Sequence, residues 1–219
     1  MHIAVLGTGM VGNAIASRLV KAGHRIMMGS RTADSEAGQA WLRSVGGDAH
    51  IGTFADAAGF GEIVFDCTSG AHSLAALRQA GAANLRGKLL IQVGNPLDTS
   101  KGFPPSLTVC NTDSLGEQVQ REFPETRVVK ALNTVNCEIM VDPGRVPGNH
   151  DLFICGNDLA AKREVIDRLG EWFGWKSGNI VDLGDITSSR GTEMFLALWV
   201  RLWGVLGTPH FNIHVVRGA

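Results

Sequence analysis

The run His2-Ile3-Ala4-Val5-Leu6-Gly7-Thr8-Gly9-Met10-Val11-Gly12 decides how the rest of the chain is read. Its first five residues form a short, largely apolar run ending in glycine, as suits a strand buried on both faces of a parallel sheet. Beyond the glycines, Val11, Ala14, Ile15, Leu19 and Ala22 recur three or four apart. Met10 to Ala22 therefore reads as a helix with one apolar face, stopped by Gly23. His24 to Met28 reads as a second strand. In this strand–loop–helix–strand setting each glycine has a task. Gly7 permits the sharp turn, Gly9 lets backbone approach a pyrophosphate, and Gly12 lets the helix pack on the strand. The free N–H groups of the first helical turn then face the anion. The competing reading is a glycine turn with no ligand, and the flanking strand and helix argue against it.

Working outward, the alternation persists. Strands are expected at residues 49–52, Glu62 to Cys67, Lys88 to Val93, Arg127 to Leu132, Asp151 to Cys155 and Lys176 to Asp182. Helices are expected from Thr53 as cap, from Ala71 to Ala80, Asp113 to Phe123, Asp158 to Glu171, and Thr187 to Gly207. Repeated strand–helix units give an α/β fold, a doubly wound, mostly parallel sheet of Rossmann type with a small C-terminal helical extension. The expected division is a nucleotide-binding domain over 1–183 and an extension over 184–219 that contributes to a second pocket and a dimer contact. Leu97 to Pro105 and Val141 to Asn149 read as excursion loops. Phe195, Trp199 and Trp203, four apart in the last helix, read as core or subunit interface before cofactor box.

Composition narrows the function classes. The chain has 219 residues, 44% hydrophobic and 19% charged, enough for one sizeable core and unlike a disordered chain. Twenty Lys and Arg face 21 Asp and Glu, so no overall basic field favours nucleic acid or anionic lipid. Cys67, Cys110, Cys137 and Cys155 form neither a CxxC pair nor a zinc spacing, which suits a reducing compartment. His210 and His214 flank an extended stretch after Pro209, so their rings should not converge on one ion. No metal site is expected. No signal peptide is legible, and the longest apolar run, Met194 to Val200, is too short for a bilayer. The expectation is a cytoplasmic protein that does not engage a membrane.

The end of the second strand selects the nucleotide. An NAD site usually places a carboxylate there to hold the ribose. Here stand Gly29-Ser30-Arg31, with no carboxylate to repel a 2′-phosphate and a guanidinium fork to receive it. Arg31 as a plain solvated turn residue is the alternative, but the pattern favours NADP. Further contacts are expected where other strands end on the same edge. These are Thr68 and His72 after the fourth strand, Asn95 and Pro96 after the fifth, and Asn133 after the sixth, each of which could instead be a cap or turn. No activating base stands near Cys67, and neither a Ser-His-Asp set nor paired catalytic carboxylates can be recognised, so no catalytic side chain is assigned.

Together, Ala4 to Gly12, Gly29-Ser30-Arg31, Gly94-Asn95-Pro96-Leu97, Val129 to Thr134 and Gly184-Asp185-Ile186 resemble the NADPH-dependent deazaflavin reductases. These are also called coenzyme F420-dependent NADP oxidoreductases. The resemblance implies reversible hydride transfer between NADP and a deazaflavin, commonly in a homodimer. It makes Thr8 to Val11 the pyrophosphate loop and Ser30 with Arg31 the 2′-phosphate clamp. It puts Thr68, His72 and Asn95 around the ribose and nicotinamide. The deazaflavin pocket of the family includes the loop at Asn133, where archetypal members carry histidine. The cytoplasmic part of membrane ferric reductases, which uses a flavin, is similar too. Alternatives are an NADPH-dependent reductase of a flavin or of a small imine or ketone, and a non-catalytic NADP-binding redox sensor.

Overall fold

The computed structural model describes residues 1–218. In chain order the first half runs β1 (His2–Leu6), α1 (Met10–Lys21), β2 (Arg25–Ser30), α2 (Glu36–Val45), β3 (Ala49–Thr53), α3 (Phe54–Phe60), β4 (Ile63–Asp66), α4 (Ser73–Ala80), α5 (Ala82–Leu85) and β5 (Leu89–Gln92). There follow β6 (Leu97–Asp98), β7 (Ser106–Leu107), α6 (Leu115–Glu122), β8 (Arg127–Ala131), α7 (Cys137–Val141), β9 (Leu152–Gly156), α8 (Leu159–Phe173), β10 (Ile180–Asp182) and α9 (Ser189–Leu206).

Eight strands form one sheet in the order β10-β9-β8-β5-β4-β1-β2-β3. Every neighbouring pair is parallel except β8 with β9, where the chain reverses. The chain winds outward from β1 through β2 to β3, then returns to β4 on the other side. The crevice for a ligand in such a sheet lies at that switch, beyond the carboxyl ends of the strands. Alternation along β1 accounts for the two cores. Ile3 and Val5 pack with Ile15, Leu19, Phe65 and Trp172 on one face. Ala4 and Leu6 pack with Ala57, Val64, Leu77 and Val128 on the other.

The eight sheet strands fall where the sequence pattern puts them, with edges shifted by a residue or two apart from β10. That strand starts at Ile180, because residues 177–179 form a helical turn. Helix α2 escapes the sequence reading, although Ser35 caps it and Trp41 is buried on its inner face. The first excursion contains a two-stranded antiparallel ribbon of β6 and β7.

Helix α9 docks by polar contacts. Both oxygens of Glu193 accept backbone amides at the start of α6, from Leu115 at 2.9 Å and Gly116 at 3.0 Å. The Ser189 and Ser114 hydroxyls meet at 2.7 Å. Arg190 donates to both oxygens of Glu117, at 2.8 and 2.5 Å. Gly116 makes this approach possible, since a Cβ there would lie 2.7 Å from the Ser189 hydroxyl. After α9 the chain turns at Gly207, stacks Phe211 on Trp199 with centroids 5.3 Å apart, and returns to the start of β9. There Ile213 accepts from the Asp151 amide at 2.8 Å and the Val215 amide donates to the Asp151 carboxylate at 2.6 Å.

The hydrogen bonds from Arg190 hold the Glu117 carboxyl below its ordinary range. A carboxyl depressed in the folded state stabilises the protein above its unfolded pKa, about 4.3, and that contribution fades as pH falls through the lower folded value. We expect Glu117→Gln to cost about 1–2 kcal/mol at pH 7, after allowance for the exposure of Arg190. Thermal melts of the two proteins should converge as the pH drops below 4; a gap that persists in acid would contradict this role.

Candidate functional site

The glycine loop forms a cradle at the head of α1. Gly7 adopts a φ of +112°, and a Cβ there would lie 2.8 Å from the Cys67 carbonyl oxygen. A Cβ on Gly12 would lie 2.0 Å from the Gly7 carbonyl oxygen, so α1 rests directly on the loop backbone. Above Gly9 the space is open, with nothing within 4 Å of a notional Cβ. Gly9 is also the N-cap of α1 and supplies no side-chain cap, whereas Thr53, Ser114 and Asp158 cap α3, α6 and α8. The first amides of α1 thus lack a side-chain acceptor. At the end of β2, Arg31 is exposed and has no ion-pair or hydrogen-bond partner among the described residues. The nearly buried Ser30 donates its hydroxyl to the Thr32 carbonyl at 2.5 Å, which leaves it free only to accept.

A cavity of about 580 Å³ opens beside the cradle. Its walls come from the loops after β1, β4, β5 and β8, from α7, and from α9 and the segment behind it. Gly9, Met10, Val11, Thr68, Asn95 and Asn133 line it, together with Leu196, Trp199, Trp203 and Pro209. No Asp, Glu, Lys, Arg or His does so among the described residues. Gly7, Thr8, Gly12, Ser30, Arg31, His72 and Pro96 lie outside the lining. For the loop and β2 residues this is a matter of position, because they sit further along the same edge. His72 is different. Expected around the ring half, it is an exposed residue of the turn leading into α4, two residues after Gly70 of the lining. Pro96 likewise turns its carbonyl to the Thr108 amide, at 2.8 Å, and so anchors the ribbon. Trp199 and Trp203, expected to pack in a core or interface, instead form part of the cavity wall.

The loops are held from below by a row the sequence reading missed. Leu6, Asp66, Gln92 and Lys130 are register partners across β1, β4, β5 and β8, the first three at the last residue of their strands and Lys130 one residue before the end of its own. The last three of these side chains are polar and fully buried. Asp66 accepts from Thr68 (amide 3.2 Å, hydroxyl 2.6 Å), from the Ser73 hydroxyl at 2.5 Å and from Gln92 at 3.3 Å. Lys130 donates to Gln92 and to the Gly94 carbonyl, both at 2.5 Å, and to Glu193 at 2.8 Å. Burial pushes the Lys130 ammonium down and the Glu193 charge opposes it. The signal in the sequence is a polar residue at or next to the end of each of three apolar strands. Above the row, Asn95 and Asn133 clasp each other. Asn95 donates to the Asn133 carbonyl at 2.8 Å and Asn133 to the Asn95 side-chain oxygen at 3.0 Å. Leu132, with a φ of +67°, turns the chain between β8 and this clasp.

Three buried polar atoms of the wall residues have no partner: Asn133 Oδ1, Thr134 Oγ1 and Trp199 Nε1. Such atoms are costly until something supplies the missing bond. The thiols at the wall are inert. Burial and the neighbouring Asp66 raise the Cys67 thiol well above its ordinary value, and burial also raises Cys137. His210 and His214 part company, His210 facing Glu138 at 3.0 Å and His214 facing Asp151 at 3.1 Å.

Residues 2–96 match the family model of the coenzyme F420-dependent NADP oxidoreductases. A F420-dependent NADP reductase of Methanocaldococcus jannaschii is 31% identical over 211 residues, covering 92% of each chain. The chain belongs to the F420-dependent NADP oxidoreductase family. It is an NADP-dependent oxidoreductase. A solved chain from Arthrobacter sp. FB24, described as a candidate F420-dependent NADP-reductase, is 49% identical with a TM-score of 0.92, over 98% of this chain and 99% of that one. The rat metalloreductase STEAP3 is 28% identical over 93% of this chain but only 38% of its own length. An imine reductase of Myxococcus stipitatus solved with NADP+ shares the fold at 20% identity and a TM-score of 0.63, over 94% of this chain and 62% of that one. No helix among the described residues is long and apolar enough to cross a membrane.

The residues present fit NADP. The open space over Gly9 is a cradle that a single methyl group would begin to fill, the helix head beside it lacks a side-chain cap, and the guanidinium of Arg31 is free. The two glycines separate fold from ligand. We expect Gly12→Ala to lose about 3 kcal/mol or more, because backbone is struck. Gly9→Ala, at an ordinary φ of −75°, should keep its stability to within about 1 kcal/mol. Equal melting temperatures for Gly12→Ala and wild type would contradict the packing described.

Proposed function

We propose that this protein moves a hydride between NADPH and a deazaflavin of the coenzyme F420 type, or a closely similar ring acceptor, in the cavity under α9. The observation that carries the reading is the chemistry of the wall. It is largely apolar and aromatic, and it holds no ionisable acid or base apart from raised thiols. Hydride passing between two stacked rings needs closeness and alignment, with donor and acceptor carbons about 3–3.5 Å apart. The negative charge it brings is spread over the acceptor ring, which takes up its one proton from water, whereas an imine or ketone develops a localised charge that calls for an acid in the wall.

NADPH supplies the hydride when bound, and the redox chemistry is its own. The protein binds, orients and excludes water. In this reading Gly7 to Gly12 hold the pyrophosphate, with the α1 amides facing its charge. Arg31 takes the 2′-phosphate and Ser30 sits beside it. Thr68, Asn95 and Pro96 shape the ribose and nicotinamide side, Asn133 lies between the two rings, and Trp199 and Trp203 close over the acceptor. We read 1–183 as the nucleotide-binding unit and 184–219 as the extension that completes the acceptor pocket. The outward stripe of α9, with Met194, Leu198, Val205 and Leu206 exposed, supports a homodimer in which a second copy covers it. The four free cysteines support a cytoplasmic setting.

Anaerobic mixing of the protein with NADPH and oxidised deazaflavin should bleach the deazaflavin absorbance at catalytic protein levels. No turnover with deazaflavin or flavin would overturn the proposal. Arg31→Glu should weaken NADPH by about a hundredfold or more while leaving NADH within about threefold, because only the 2′-phosphate feels the reversed charge. Equal losses for both would remove Arg31 from the clamp. Gly9→Ala, though folded, should lose most of its NADPH affinity.

A further inference from the structure

At the strand ends runs a continuous set of buried contacts that reaches the site from beneath. Its outer member is Glu193 on α9. Leu196, one turn further along the same face, belongs to the cavity wall, and Trp199 follows. Its inner member is Lys130, whose ammonium holds the carbonyl of Gly94, where the loop after β5 begins. Five directional bonds hold the pair, one within it and four to its surroundings: Lys130 donates to Glu193, to Gln92 and to the Gly94 carbonyl, and Glu193 accepts from the Leu115 and Gly116 amides. Neither side chain lines the cavity.

A buried ion pair is a poor way to gain stability, since apolar residues of similar volume often do as well or better. What it can do is fix a register. An apolar contact between α9 and the sheet tolerates a shift along the helix; five bonds with set directions do not. α9 carries the aromatic wall of the acceptor pocket, and the Gly94 loop carries Asn95 and its clasp with Asn133. A shift of α9 would displace one ring's wall relative to the other's.

We propose that Lys130 and Glu193 are positioning residues for hydride transfer, setting the register of the α9 wall against the Gly94–Pro96 loop without touching either ring. The inference rests on the hydride-transfer reading of the cavity. The test is the double variant Lys130→Met with Glu193→Leu, compared with wild type in four measurements: melting temperature, NADPH dissociation constant, dissociation constant of oxidised deazaflavin from the protein alone by fluorescence, and kcat. Removing both charges avoids stranding one, but Gln92 and the Leu115 and Gly116 amides lose partners, so the melting temperature should fall while the protein stays folded. NADPH affinity, dominated by the adenosine end, should stay within about threefold, whereas deazaflavin affinity and kcat should each fall about tenfold or more, as misalignment requires. A folded double variant with deazaflavin affinity and kcat within about twofold of wild type would overturn the proposal and leave the pair purely structural. A wild-type protein that neither binds nor reduces deazaflavin or flavin would overturn the underlying reading instead, and this inference with it. Glu193→Gln, which keeps the shape, covers the case in which the double variant does not fold. It should show the same split between NADPH affinity and kcat, and a folded Glu193→Gln protein with wild-type kcat would equally overturn the proposal.

Discussion

Asp66, Gln92 and Lys130 stand side by side in one row of the sheet, sealed from water. A buried charge or amide without a partner costs several kcal/mol, so whatever packs against this row must bring partners with it. Thr68 and Ser73 come from the loop after β4 and the start of α4, the Gly94 carbonyl from the loop after β5, and Glu193 from α9. Each of these contacts pins a segment that then forms the cavity. The ligand-binding edge is therefore built on a polar foundation, and its loops are placed by bonds made just below them.

Above that foundation the chemistry is sparse. Backbone at Gly9, an exposed guanidinium and a cap-free helix head suit a phosphorylated dinucleotide. The neighbouring wall is largely apolar and aromatic, and it is uncharged. A site of this kind has little to contribute to bond-making beyond placement, which is what a transfer between two redox cofactors asks of a protein.

The parts legible in the sequence are those written locally. Period-two burial and the 3.6-residue stripe revealed the strands and most helices, because burial on both faces leaves an unbroken apolar run. The glycine loop was legible because each glycine answers a steric demand that the coordinates now show, at Gly7 and Gly12 above all. The stripe of helix α2, Gly38, Trp41, Leu42 and Val45, is present in the sequence behind its Ser35 cap, but the helix is only 10 residues long and one of those four positions is glycine. A position just after a strand, such as that of His72, does not fix which way a turn faces. Lys130 and Glu193 lie 63 residues apart, and no local pattern can pair residues at that distance. Trp199 and Trp203 sit on a helix whose stripe is equally suited to a core, an interface or a pocket; only the docking of α9 decides.

The central claim is that hydride crosses directly between two rings held in one cavity. NADPH labelled with deuterium at one or the other face of the nicotinamide C4 tests it in a single turnover with oxidised deazaflavin, whose reduced carbon does not exchange with water. Rigid stacking predicts transfer of the label from one face only and its full retention in the reduced deazaflavin. Label lost to solvent, or transferred from both faces, would contradict the account.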